Sequence, residues 1–139
     1  MSVGSWTPED PLVNQSTEAE LPGEELLHLF IRLSQEEKLE SMPSLLDEKI
    51  ISSNHTVMRL PMALWKTALE PFDIEDINHL IRFFTRAEML LPNWDAGAES
   101  PVVWMAKILR QRKSPLDKQQ LIWIKNHSTN KFIPNGALI

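Results

Sequence analysis

Ten prolines in 139 residues leave few places where a regular element can run uninterrupted, and their positions set the element boundaries. Proline has a fixed φ and no backbone N–H, so it is tolerated in the first turn of a helix and disruptive inside one. Six of the ten, Pro22, Pro43, Pro61, Pro71, Pro101 and Pro115, stand at or just before apolar runs with helical spacing and are expected to mark helix starts. Pro92 follows such a run and is expected to end it. Pro134 falls in the irregular segment Phe132-Ile133-Pro134-Asn135-Gly136, and Pro8 and Pro11 lie in an opening stretch without an apolar period.

Between these marks the apolar spacing is helical rather than alternating. Leu26, Leu27, Phe30, Ile31 and Leu33 follow Pro22, after which Ser34-Gln35-Glu36-Glu37 reads as a capping box that opens a second short helix. Ser44 is expected to cap a further turn through Leu45, Leu46 and Ile50, ahead of a polar connector, Ser52 to Thr56. Residues 61–69 form a short apolar helix. The clearest helix spans about 74 to 90, with Asp73 as N-cap, Asp76 completing a variant capping box, and Phe72 and Ile77 placed as a hydrophobic staple. Its apolar stripe is Ile77, Leu80, Ile81, Phe84 and Leu91.

The next helix opens at Ser100-Pro101 and is apolar on nearly every side through Leu109, as expected of a central or interfacial helix. Ser114-Pro115-Leu116-Asp117 restarts the chain as a last helix carrying Leu121, Ile122, Trp123 and Ile124, with Ser100 and Ser114 as caps. Residues 61–69 resemble 101–109, and 71–73 resemble 115–117, but two units are too few for a solenoid, which needs at least about three. The expected fold is all-α: a compact bundle of five to seven short helices, with residues 22–139 forming one helical domain behind a flexible acidic tail over 1–21.

Several chemistries are excluded at this level. The absence of cysteine removes disulfides, thiolate metal sites and cysteine nucleophiles, and fits a reducing, cytoplasmic setting. The longest apolar run, Val102 to Ala106, falls far short of the roughly 20 residues that cross a membrane, and the first residues lack the basic and apolar regions of a secretory signal. Four isolated glycines build no phosphate cradle. Glu25-Leu26-Leu27-His28 and Asp76-Ile77-Asn78-His79 repeat the carboxylate-x-x-His spacing of di-metal bundles. Both fall in first helical turns, where acids answer the helix dipole without a metal. No metal, cofactor or catalytic residue is expected.

Charge is more informative. The net −5 divides into −8 over residues 1–50, −3 over 51–100 and +6 over 101–139. Lys107, Arg110, Arg112, Lys113, Lys118 and Lys125 are candidate partner-binding residues around the turn between the last two helices, with Lys131 beyond them. Such a basic end suits an acidic protein surface, either the N-terminal half of its own chain or a partner. Two helices across a short turn, with Gln119, Gln120, Lys125 and Asn126 on the second, also permit a helix-turn-helix comparison and a nucleic-acid partner. Of the five tryptophans, Trp65, Trp104 and Trp123 lie in apolar helices as core residues. Trp94, in the connector Pro92 to Gly97, is either a lid on the core or a contact offered to a partner. The function expected is a non-enzymatic interaction or regulatory protein that binds a protein partner, with self-association open to it. The alternatives are a nucleic-acid-binding regulator and, behind it, a small helical enzyme with a metal at His28 and His79.

Overall fold

The computed structural model describes residues 21–136, so the tail assigned to 1–21 lies outside the described residues except for Leu21. Within them the chain is helical with no strand, and the all-α bundle of short helices is present. Seven α-helices follow in order: α1 (Glu24–Gln35), α2 (Met42–Leu45), α3 (Glu48–Asn54), α4 (Met62–Ala68), α5 (Ile74–Leu90), α6 (Pro101–Gln111) and α7 (Lys118–His127). No helix among the described residues is long and apolar enough to cross a membrane.

Helix α5 is the axis. Asp73 accepts from the Asp76 N–H at 2.8 Å and Asp76 returns the bond to the Asp73 N–H at 3.4 Å, the reciprocal capping expected from the spacing. Ile77, Leu80, Ile81 and Phe84 are buried as anticipated, but so are Phe83, Thr85, Ala87 and Glu88. The buried arc is wider than one stripe because α1 and α6 flank α5 on two sides. Helix α6 is likewise buried at Pro101, Val102, Val103, Met105, Ala106, Ile108 and Leu109. Its apolarity is consumed by α4, α5 and the 3₁₀ turn His55–Arg59, so it is an interior helix.

The aromatic side chains join these helices. Phe30 of α1 stacks on Phe83 of α5 with ring centroids 3.9 Å apart, and Phe84 meets Phe30 edge-on at 5.7 Å and Trp65 of α4 at 5.5 Å. Trp94 closes the cluster, edge-on to Phe30 and Phe83 at 6.2 and 6.3 Å, while its indole N–H donates to the Ile51 carbonyl at 3.0 Å.

Three helix boundaries differ from expectation. Ser34-Gln35-Glu36-Glu37 ends α1 instead of opening a new helix: the Lys38 N–H donates to Leu33 O at 2.8 Å and the Glu37 N–H to Ser34 O at 3.1 Å, with Glu37 at φ 57°. That is a Schellman stop, and Ser34 Oγ pairs with His79 Nδ1 at 2.8 Å rather than capping. Ser44 lies inside α2, and Asp47 caps α3 by accepting from the Lys49 N–H at 3.1 Å, so the supposed polar connector Ser52 to Thr56 is helical. Asp117, not Ser114, caps α7, accepting from the Gln120 N–H at 2.8 Å. Ser100 does cap α6, accepting from the Val102 N–H at 3.1 Å.

Ser100 also donates to Glu88, a carboxylate only 5% exposed. Glu88 accepts from Asn130 Nδ2 at 2.9 Å and from the Ala96 N–H at 3.4 Å, and Asn130 donates to Gly97 O at 3.0 Å. One buried acid thus ties α5, the 95–100 connector and the C-terminal segment. Desolvation raises its pKa against the lowering effect of its donors, Ser100, Asn130 and Ala96, and Asp95 raises it further.

Helix α6 ends as α1 does, with Lys113 at φ 64°, its N–H donating to Arg110 O and the Ser114 N–H to Leu109 O. A side chain in this left-handed region is strained, so Glu37→Gly and Lys113→Gly should each raise stability by about 0.5–1 kcal/mol in urea unfolding. Glu88 holds its proton more tightly folded than unfolded, where a glutamate titrates at about 4.3. Its contribution is therefore complete below that value and declines as pH rises through the higher folded pKa. The melting temperature should carry this decline, and Glu88→Gln should flatten it.

Candidate functional site

Helix α7 distributes its residues over three directions. Gln120 and Ile124 are buried beneath it, Trp123 and His127 lie half-buried along one flank, and Lys118, Ile122 and Lys125 share the outward stripe. Ile122 is 49% exposed between two exposed lysines, one of the few large apolar side chains left open among the described residues. Burial of most of α6 leaves Trp104, Lys107, Arg110 and Gln111 outward. Arg110 shares a small cleft with Leu116 and Leu121, and Leu121 is the helical neighbour of Lys118 and Lys125. Lys113 follows in the turn. The expected cationic residues Arg110, Lys113, Lys118 and Lys125 are all exposed, and the shared cleft brings Arg110 beside Leu121 of α7.

Among the described residues the ion pairs are Lys38–Glu36, Arg59–Glu99 and Arg86–Glu40, and none involves a base from 101–136. Within these residues the basic end does not pair with the acidic half of the same chain. Lys107 is half-buried, its ammonium 5.2 Å from the centroid of the Trp104 ring.

Two candidate contacts are reassigned. Trp94 has no exposed surface and its N–H is bonded to Ile51 O, so it is the lid on the core and not a contact for a partner. Arg112 donates from Nη1 to Phe72 O at 2.6 Å and from Nη2 to Leu69 O at 2.9 Å. It clamps the link between α4 and α5, adding a second donor to Leu69 O, which already accepts from the Phe72 N–H at 2.9 Å, and supplying one to Phe72 O. Gln120, placed above on the face of a reading helix, is buried, and Trp123 is half-buried at a cleft rather than enclosed in the core.

The two histidines of the metal alternative have other neighbours: His28 packs against Phe72 at 5.0 Å and His79 bonds Ser34. Among the described residues no three His, Asp or Glu side chains form a group able to hold a metal ion.

A second site lies along the open arc of α5, where Asn78, His79, Arg82 and Arg86 recur at helical spacing. Arg86 grips Glu40 with Nε at 2.6 Å and Nη2 at 2.7 Å, and gives Nη1 to the last α7 carbonyl, His127 O, at 2.6 Å. The hydrogen bonds from Arg86 hold the Glu40 pKa below its ordinary value despite partial desolvation, aided by the charges of Arg86 and His127. One turn away, Arg82 donates from Nε to Gln120 Oε1 at 2.9 Å and lies 5.1 Å from the Trp123 ring centroid. Sequence reasoning passed over both arginines. The available signal was two like charges at i and i+4 in mid-helix with no acid three or four residues away, a pair that repels unless other elements supply acceptors.

No family model, curated protein or solved structure matches the chain.

Arg86→Met removes three bonds linking α5, the 3₁₀ turn at Leu39–Ser41 and α7, and should lower stability by about 1–3 kcal/mol in denaturant unfolding. Glu40 is 64% exposed, so solvent screening keeps its own share at the low end of that range. With a lowered folded pKa, that share is present above a pH of about 4.3 and lost as pH falls through the folded value. The Met variant should lose this acid dependence.

Proposed function

We propose that the chain is a non-enzymatic interaction protein of the cytoplasm that binds an acidic protein surface through the edge formed by the end of α6 and the outer stripe of α7. The observation that carries this reading is the stripe Lys118, Ile122 and Lys125, exposed and without an ion pair among the described residues, with the exposed Arg110 and Lys113 at the end of α6. An apolar anchor within a charged rim is the anatomy of a protein interface. Opposite potentials steer the encounter and fix the register. The partner surface that fits carries an apolar residue flanked by carboxylates. A second copy also meets that description in charge, because Glu24, Glu25 and Glu36 of the α1 region are exposed.

The nucleic-acid alternative would use the same cations against phosphates. Base reading from α7 is disfavoured by the burial of Gln120, whose amide is already bonded to Arg82 and to the Asn78 carbonyl.

The test compares the intact chain with a variant carrying Arg110→Gln, Lys113→Gln, Lys118→Gln, Lys125→Gln and Ile122→Asp. Arg112 is kept because it holds the fold. Affinity capture from the native host with mass spectrometry should recover a protein set that the variant loses, and light scattering should report whether one member is the chain itself. Recovery of DNA or RNA in place of protein, lost in the same variant, would overturn the reading in favour of the nucleic-acid alternative.

A further inference from the structure

Arg82 is held in place, and among the described residues its outer nitrogens have no acceptor. Its Nε is bonded to Gln120 Oε1 at 2.9 Å. Gln120 is itself fixed, since its Nε2 donates to Asn78 O at 3.1 Å and its backbone N–H to Asp117 at 2.8 Å. The guanidinium lies over the Trp123 ring, 5.1 Å from its centroid, and that ring is in turn stacked on His127 with centroids 4.1 Å apart. The other half-buried arginines, Arg86 and Arg112, both give Nη1 and Nη2 to protein oxygens. Among the described residues no protein group accepts from either Nη of Arg82. A guanidinium oriented by an amide and an aromatic face, its Nη1 and Nη2 not bonded to any described protein group, is pre-organised for a planar two-oxygen acceptor.

The surroundings limit the charge of the ligand. Arg82 lines two clefts in common, of about 380 and 270 Å³, one on either side of it along α5. His127 borders the second cleft. Its Nδ1 lies 2.7 Å from the Trp123 carbonyl, which can only accept, so Nδ1 carries the hydrogen and Nε2 has no partner among the described residues. Glu75, Asp117, Glu37 and Glu40 lie around the two clefts, with Glu40 already paired to Arg86. One uncommitted guanidinium among carboxylates matches a single negative charge and opposes a dianion.

We propose that Arg82 anchors a carboxylate-binding site, in which Nη1 and Nη2 donate in parallel to the two oxygens of one carboxylate while Gln120 and Trp123 fix the plane of the fork. The site is separate from the α6–α7 edge and does not depend on the partner reading.

The test is a titration of the full ¹⁵N-labelled chain with sodium acetate, following the Arg82 Nε–Hε and Trp123 indole resonances against sodium chloride at equal ionic strength. A saturable shift with acetate and none with chloride is expected. Arg82→Gln should abolish it, and Arg82→Lys, which keeps the charge but loses the fork, should weaken it by about tenfold or more while the remaining spectrum stays folded. Lys66→Gln, an exposed position on α4, should leave it unchanged. Tighter binding of an N-acetylated, C-amidated aspartate than of acetate would identify a peptide side chain as the source of the carboxylate, and equal binding a free small acid. Equal shifts with chloride, a shift that survives in Arg82→Gln or at full strength in a folded Arg82→Lys, or tighter binding of inorganic phosphate than of acetate would overturn the proposal.

Discussion

The contact among Phe30, Phe83, Phe84, Trp65 and Trp94 is the one on which the rest of the architecture depends, because its members come from α1, α5, α4 and the connector before α6, and Trp94 reaches α3 through Ile51. Several of these helices are too short to persist alone: α2 has four residues and α3 and α4 seven each, well below the length at which an isolated helix is stable in water. Their geometry is therefore imposed by burial. Large rings suit that task, since each buries extensive area at a small rotamer cost and prefers tilted contact with its neighbours. Trp65 is enclosed with its N–H unpartnered, among apolar neighbours and beside the Phe84 ring, so packing alone holds it.

What could be read from the sequence was what is determined locally. Pro22, Pro43, Pro61, Pro71, Pro101 and Pro115 announced helix starts because a fixed φ and a missing N–H act on the residue itself, and Asp73 with Asp76 announced α5 because capping needs only four consecutive residues. Ser34 to Glu37 shows the limit of such reasoning. The string has the pattern of a capping box, yet burial of Leu33 against the core and the bond from Ser34 to His79, 45 positions away, make it a stop. Glu37 then takes a left-handed conformation normally left to glycine, a cost tolerated because the turn must deliver Leu39 and Met42 back to the core.

The candidate sites divide in the same way. Sign and crowding of charge are legible, so Arg110, Lys113, Lys118 and Lys125 were found at the exposed edge where charge prefers to be. The commitment of a particular charge to a distant acceptor is not legible. Arg112 looks like its neighbours in sequence but is turned inward to Leu69 and Phe72, and Trp94 looks like a free ring in a polar connector but is enclosed. Arg82 is the converse case: an ordinary mid-helix arginine whose meaning comes from Gln120, 38 positions on, and from a tryptophan that periodicity assigned to the core.

Helix α7 carries both surfaces, and this constrains how they relate. Its outward stripe presents Lys118, Ile122 and Lys125, while its other faces supply Gln120, Trp123 and His127 to Arg82 and Arg86. The helix is fastened at its N-terminus by Asp117 and at its last carbonyl by Arg86, with Gln120 and Ile124 buried between. A ligand on the Arg82 fork would add a restraint to a guanidinium already bonded to α7 through Gln120. Any partner that favours one placement of α7 would then alter the affinity of that fork, and the fork would alter the affinity of the partner by the same factor, since coupling between two binding equilibria is reciprocal. The strength of that coupling is set by how far α7 can move against α5 with the Arg86 bonds intact. Of those three bonds the one from Nη1 holds the end of α7 at His127 O, while the two to Glu40 fix the guanidinium that makes it, so sliding of α7 against α5 must break that bond or drag Arg86 off Glu40.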